Sequence, residues 1–99
     1  MAKLDRLRAG SVVISRSGHD AGRYLMVLRV EPPWVYLSDG IHRRGSPPKK
    51  KKILHVRLTN AFSSLIGQMT DEGDIPEDEL IRTELEKALP QLQRENKEC

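Results

Sequence analysis

Apolar residues in the first sixty positions occur in short runs with the two-residue period of β-strands. The runs SVVIS (11–15), RYLMVLRV (23–30) and WVYLS (34–38) are rich in β-branched and aromatic side chains. The second run has apolar side chains at both odd and even positions, which is typical of a central strand covered on both faces or of a strand bent around a barrel core. A later run, KKKKILHVRLT (49–59), predicts one further strand by its alternation. Four or five short strands in this space predict a small antiparallel barrel.

Proline and glycine mark the turns between these runs. Pro32 and Pro33 end the second strand, because proline cannot donate to a sheet ladder. The pair Asp39-Gly40 is a strong hairpin signal. In the stretch RSGHDAGRY (16–24), two glycines allow a tight loop between the first two strands. We therefore predict structural turns at Gly18, Gly22 and Gly40.

Beyond residue 60 the apolar spacing changes to that of helices. TNAFSSLIGQM (59–69) predicts a short amphipathic helix with Thr59 or Asn60 as its cap. IPEDELIRTELEKAL (75–89) predicts a longer helix that has Pro76 in its first turn and is ended or kinked at Pro90. An apolar stripe runs along this helix at Ile81, Leu85, Leu89 and Leu92.

Charge divides the chain at the same place. The net charge is +3, but residues 1–60 hold 13 Lys and Arg against four acids, whereas residues 61–99 hold four against ten. We predict a basic barrel at 1–60 and an acidic, partly helical C-terminal extension at 61–99. The basic part has the sign expected of a protein that binds nucleic acid.

Several features predict a cytoplasmic protein with no membrane partner. No apolar run approaches the roughly 20 residues of a membrane-spanning helix. The N-terminus lacks the continuous apolar segment of a secretory signal. The single cysteine, Cys99, cannot form an internal disulfide, which suits a reducing cytosol.

The pair His19-Asp20 is the first candidate for enzymatic chemistry. A histidine oriented by a carboxylate can act as a general base, but it needs a nucleophile within reach. No cysteine is nearby, and Ser17 is not part of a nucleophile-elbow pattern. The spacing of His19, His42 and His55 matches no common metal-ligand pattern. GIHRRGS (40–46) lacks the lysine of a phosphate-binding loop. We therefore predict no enzymatic activity, metal or cofactor.

A cluster of cations before and at the start of the run KKKKILHVRLT is a better candidate site. Arg43, Arg44 and the four lysines 49–52 fall within ten residues. Burying four lysines would be prohibitive, so we expect them to project into solvent or onto an anion. Such a cluster favours phosphate contacts, although lysines that guard a strand edge and a targeting signal remain alternatives. Stacking on nucleic-acid bases is one alternative for the aromatic residues Tyr24, Trp34, Tyr36 and Phe62. Most of them are expected in the core instead, and Trp34 is the one most expected to be exposed.

The stretch GSVVISRSGHDAGRYLMVLRV resembles the KOW motif. Its pattern is filled at Gly10, Val13, Gly18, Gly22 and Val27. The resemblance continues through YLSDG and RRGSPPKKKKILHVRLT and covers residues 9–60. The chain is similar there to small bacterial KOW-domain proteins related to archaeal and eukaryotic large-subunit ribosomal proteins. This resemblance implies an SH3-like barrel of about five strands that binds RNA, mostly ribosomal RNA.

Residues and resemblance together predict a non-enzymatic, ribosome-associated protein that binds ribosomal RNA through its basic loops. The expected contacts are phosphate pairing by arginine and lysine, with hydrogen bonds from Ser17 and His19. The predicted RNA-binding residues are Arg16, Ser17, His19, Arg23, Arg43, Arg44, Lys49, Lys50, Lys51 and Lys52. The alternative is a protein–protein adaptor of the transcription or translation machinery that uses the barrel and the amphipathic C-terminal helix.

Overall fold

In the computed structural model, which describes residues 6–40 and 48–97, five strands form one antiparallel sheet and two helices follow. The strands are β1 (Ser11–Ser15), β2 (Tyr24–Glu31), β3 (Trp34–Ser38), β4 (Lys49–Lys52) and β5 (Val56–Phe62). The helices are α1 (Ser64–Asp71) and α2 (Asp78–Lys97), and beyond Ala88 side chains are described only at Pro90. The predicted fold class, mainly β with a helical C-terminal extension, is confirmed.

The sheet curls because its two edges are joined by a very short connection. The spatial order is β4-β3-β2-β1-β5, so β4 and β5 are the two edges. Opposite edges of a flat five-stranded sheet would lie roughly 19 Å apart. The connection between them is a single 3₁₀ turn, Ile53–His55, and three extended residues reach only about 10 Å. The edges therefore meet at this corner and give the sheet the form of a small barrel.

The run at 49–59, predicted to contribute to a total of four or five strands, is divided by this turn into β4 and β5. The 3₁₀ turn is fixed at both of its ends by backbone hydrogen bonds. Ile53 N–H donates to the Pro33 carbonyl at 2.9 Å, and Arg16 N–H donates to the His55 carbonyl at 2.8 Å. The β2–β3 turn at Pro32 and Pro33 lies where the prolines predicted it.

Apolar side chains fill both faces of the sheet. The inner side of the curl holds Leu7, Val13, Leu25, Val27, Val35, Leu37 and Val56. The opposite side is covered by the helices and holds Val12, Met26, Leu28, Ala61, Ile66, Ile81 and Leu85. Strand β2 contributes to both clusters, as expected from apolar side chains at its odd and even positions.

Strand β5 runs further than the sequence predicted, and this moves the start of α1. The Thr59 hydroxyl donates to the Val12 carbonyl at 2.8 Å and accepts from the Ala61 N–H at 3.1 Å. These bonds satisfy the backbone beside an irregularity in the β1–β5 register. The predicted cap at Thr59 or Asn60 is therefore wrong. The N-cap of α1 is Ser63, whose hydroxyl accepts from the Ile66 N–H.

Helix α2 begins at Asp78, after Pro76, and continues through Pro90 to Lys97. We predicted that Pro90 ends or kinks the helix, and the first of these two alternatives is wrong. Proline removes one intrahelical hydrogen bond, but Pro90 and Glu86 are both exposed, so water can satisfy the carbonyl that loses its donor. The first two members of the predicted apolar stripe, Ile81 and Leu85, are buried against the sheet. The side chains of Leu89 and Leu92 lie outside the described residues. The extension and the barrel thus share a core.

The end of β3 is pressed against the first turn of α2. Gly40 has φ +75°, and a Cβ at this position would lie 2.2 Å from the Asp78 carbonyl oxygen. Only glycine fits such a contact. The Asp39-Gly40 turn ends β3 as predicted, but it does not lead directly into β4. Leu37 pairs with Lys49, and the connection between them includes residues 41–47, which lie outside the described residues.

Replacing Ile81 by alanine should lower the free energy of unfolding by about 3 kcal/mol, because it opens a cavity in the shared core. Ile75→Ala is the matched control. Ile81 is 0% exposed and Ile75 is 68% exposed, so the control should change stability by less than about 0.5 kcal/mol. Urea denaturation of both variants measures the difference. Equal effects would show that α2 is not packed on the sheet.

A polar contact joins the two helices at the edge of this core. The Ser63 hydroxyl donates to Glu84 Oε1 at 2.7 Å, and Lys87 Nζ lies 3.1 Å from Glu84 Oε2. The Ser63 hydrogen bond, supported by the Lys87 charge, lowers the pKa of Glu84 below its ordinary value of 4.5, against the opposing effect of burial. The cap of α1 is thereby tied to α2.

Glu84→Gln should lower the free energy of unfolding by about 1 kcal/mol at pH 7. A carboxyl group with a lowered pKa in the folded state stabilises the protein above its unfolded pKa. The difference between wild type and variant should therefore disappear as the pH falls from 4.5 through the lowered folded value. Unfolding free energies measured across pH 2 to 7 test this prediction. The exposed Glu86→Gln serves as control, and an equal pH dependence in both variants would contradict it.

Candidate nucleic-acid interface

The loop between β1 and β2 is a compact double turn. Ala21 N–H donates to the Gly18 carbonyl at 3.3 Å, and Arg23 N–H donates to the Asp20 carbonyl at 2.9 Å. Gly22 N–H closes the loop on the Ser15 carbonyl at 2.8 Å. Both predicted turn glycines have positive φ, +80° at Gly18 and +86° at Gly22. The loop therefore has the form that its glycines predicted.

Asp20 points into the protein from this loop and holds a buried lysine. Its Oδ1 accepts from the Ser15 hydroxyl at 2.8 Å and from Lys51 Nζ at 3.2 Å. Lys51 Nζ also donates to the Ser17 carbonyl at 2.9 Å. The side chains of Lys51 and Asp20 are only 8% and 4% exposed. This buried ion pair fixes the loop against strand β4.

We expected all four lysines to project into solvent or onto an anion because burial would be prohibitive. Lys51 does contact an anion, the Asp20 carboxylate, but it is buried, so the expected exposure is wrong for this lysine. The pleat of β4 alternates its side chains between the two sides of the sheet. Lys51 pairs with Val35, a residue of the inner cluster, and so it points inward. A buried ammonium is tolerated because a carboxylate and a carbonyl oxygen surround it. This lysine serves the fold and has no exposed ammonium to offer to a phosphate.

Most of the other predicted contact residues lie on the surface. Arg16, His19 and Arg23 are exposed on the loop, and Ser17 is half-buried. On β4, Lys50 and Lys52 are exposed and Lys49 is half-buried. Arg43 and Arg44 lie outside the described residues. The Lys51–Asp20 ion pair joins two elements that carry exposed cations. The β1–β2 loop carries Arg16 and Arg23, and β4 carries Lys50 and Lys52.

His19 and Asp20 are adjacent in sequence, but their side chains lie in different environments. His19 is exposed, whereas the Asp20 carboxylate is buried beside Ser15 and Lys51. The histidine is therefore not oriented by this carboxylate in the way that a general base would be. The role of Asp20 in the described contacts is structural.

Arg29, Trp34 and Tyr36 also lie at this end of the sheet, and they were not among the predicted RNA-binding residues. Lys50 Nζ lies 4.4 Å from the centre of the Trp34 ring, and the Arg29 guanidinium carbon lies 5.3 Å from that of Tyr36. The register places these side chains beside one another on neighbouring strands. Sequence alternation could have placed Trp34 and Tyr36 on one face, but it could not show which cations lie opposite them.

A second cationic region lies at the other edge of the sheet. Arg6, Arg8, Asn60 and Phe62 line an open cavity of about 300 Å³. Arg6 donates to Asn60 Oδ1 at 3.4 Å, and the Arg8 guanidinium carbon lies 4.2 Å above the Phe62 ring. No residue of the β1–β2 loop or of β4 lines this cavity.

No protein-family model matches this chain, and no curated protein sequence is significantly similar to it. Neither helix within the described residues is long and apolar enough to cross a membrane.

Lys51→Met should lower the free energy of unfolding by about 3 kcal/mol, because the buried Asp20 carboxylate then loses its counter-ion. The exposed Lys52→Met makes the same change on the same strand and should cost less than about 1 kcal/mol. The double variant Asp20→Asn, Lys51→Met should be more stable than Lys51→Met alone, since no buried charge is left unpaired. Urea denaturation distinguishes these cases. A Lys51→Met variant as stable as Lys52→Met would contradict the structural role.

Proposed function

We propose that the protein is a non-enzymatic RNA-binding protein that associates with the ribosome in the cytoplasm and binds ribosomal RNA. The observation that carries this proposal is the placement of its cations. Arg16 and Arg23 on the loop, and Lys50 and Lys52 on β4, are exposed on two elements that the Lys51–Asp20 pair holds together. Positive charge on fixed elements suits a phosphate backbone.

The charge distribution supports the same function. The 13 Lys and Arg in residues 1–60 face only four acids in that part of the sequence. An excess of this kind attracts polyanions over a range of about 10 Å at 0.1 M salt. The resemblance of residues 9–60 to the KOW motif suggests RNA as the polyanion and the large ribosomal subunit as its context.

The adaptor alternative drew on the apolar stripe of the C-terminal helix. Ile81 and Leu85 of this stripe are buried on the sheet, so this part of the stripe has a partner within the chain. We therefore favour RNA over a protein partner.

Salt dependence of RNA binding tests the proposal. Affinity for a ribosomal RNA fragment should fall with salt, and Arg16→Ala, Arg23→Ala should reduce the slope of log K against log [KCl] by about 1 to 2. A triple alanine variant at Lys49, Lys50 and Lys52 should do the same while it spares the buried Lys51. Fluorescence anisotropy with a labelled RNA measures both.

The control removes equal charge from α2 with Arg82→Ala, Lys87→Ala. This variant should keep the wild-type slope, because neither side chain belongs to the proposed surface. Gradient sedimentation with ribosomal subunits tests the ribosomal context. Wild-type protein that shows no salt-dependent RNA binding would overturn the proposal.

A further inference from the structure

An aromatic and cationic face covers the outer side of β2, β3 and β4. Val35 and Leu37 of β3 point to the inner cluster, so Trp34 and Tyr36, which alternate with them, point outward. Both rings are half-buried. In the sheet register, Trp34 lies opposite Lys52, and Tyr36 lies between Lys50 and Arg29. We call this set the stacking face: Arg29, Trp34, Tyr36, Lys50 and Lys52.

The cations of the stacking face lie against its rings. Lys50 Nζ is 4.4 Å and Lys52 Nζ is 5.9 Å from the centre of the Trp34 ring, and the Arg29 guanidinium is 5.3 Å from that of Tyr36. These distances lie within the range of cation–π contacts. Arg29 also forms an ion pair with Glu31. One acid therefore stands beside three cations, and the face is positively charged.

The strength of these contacts decides whether the rings are accessible to a ligand. A cation–π contact at an exposed site is weak. A nucleic-acid base stacked on an aromatic side chain is the stronger of the two contacts. A base can therefore displace Lys50 from the Trp34 ring. The displaced ammonium remains within reach of the phosphate attached to that nucleotide, so the exchange does not lose the charge.

We propose that the stacking face binds unpaired RNA nucleotides, with bases stacked on Trp34 and Tyr36 and phosphates paired with Lys50 and Lys52. This inference rests on the proposed RNA-binding function and specifies the form of RNA that is bound. Bases in a duplex are stacked on one another, whereas those in loops and single strands can stack on a protein side chain. The face therefore selects unpaired RNA over a duplex of equal charge.

The structural alternative is that the lysines only protect the exposed edge at β4. Lysines do serve this purpose at sheet edges, and they would do so without aromatic partners. Edge protection predicts no contribution of the Trp34 ring to RNA binding. The two explanations thus differ in what happens to this one side chain.

Trp34 is the only tryptophan of the chain, so its fluorescence reports directly on the stacking face. A single-stranded oligouridine should quench this fluorescence when it binds. Inorganic polyphosphate should compete for the cations without quenching, because it has no bases. An RNA hairpin with a closed stem and a minimal loop should quench less than the oligouridine at equal saturation.

Trp34→Ala should weaken oligouridine binding about tenfold, with little change in the salt slope, because the change removes stacking rather than a charge. Trp34→Phe keeps an aromatic ring and should recover most of the affinity, which separates stacking from any loss of folding. Phe62→Ala is the matched control. Phe62 is also an exposed aromatic residue under an arginine, but it lies outside the stacking face and should leave affinity unchanged.

Quenching by oligouridine together with the loss in Trp34→Ala supports the inference. Wild-type fluorescence that oligouridine does not quench, together with unchanged affinity in a folded Trp34→Ala variant, overturns it. If binding then still depends on Arg16 and Arg23, the proposed function stands and only the stacking face is wrong. If wild-type protein shows no salt-dependent binding to any RNA, the proposed function and the inference fail together.

Discussion

The pleat of a strand made of four lysines is the constraint on which the rest of the structure depends. Alternation places two of the lysines on the inner side of a curled sheet, whatever the chemistry of their ammonium groups. Lys51 lies opposite the buried Val35, where an unpaired charge would be strongly destabilising. The Asp20 carboxylate resolves the conflict, and in doing so it fixes the β1–β2 loop. This contact therefore joins the loop to β4 and places the cations of both elements on one support.

The same alternation gives the side chains of one short strand two different roles. The inward Lys51 pairs with Asp20 and stabilises the fold, whereas the outward Lys50 and Lys52 lie over the Trp34 ring. Four lysines that are identical in sequence therefore point to two different sides of the sheet. The basic surface is consequently not a featureless cluster of cations, because its outward half includes flat apolar rings at defined positions.

Local signals predicted the strands well, because β-branched runs and proline turns act within a few residues. They failed where distant contacts decide the outcome. The 3₁₀ turn at Ile53–His55 depends on the meeting of two sheet edges. The cap at Ser63 depends on how Thr59 satisfies the backbone beside Val12. In the candidate site, the exposed loop arginines followed from composition and turn chemistry. The burial of Lys51 did not, since its partner lies 31 residues away.

A run of identical residues has a further consequence for β4. Its four side chains are identical, so the sequence of β4 alone does not favour one register with β3 over another. Residues outside the strand must therefore specify the register. Asp20 provides that reference point by selecting Lys51, and the 3₁₀ turn anchored at Pro33 limits the other end. Loss or gain of one lysine would turn the outward side chains inward. The number of lysines is thus as much a structural property of the protein as their charge.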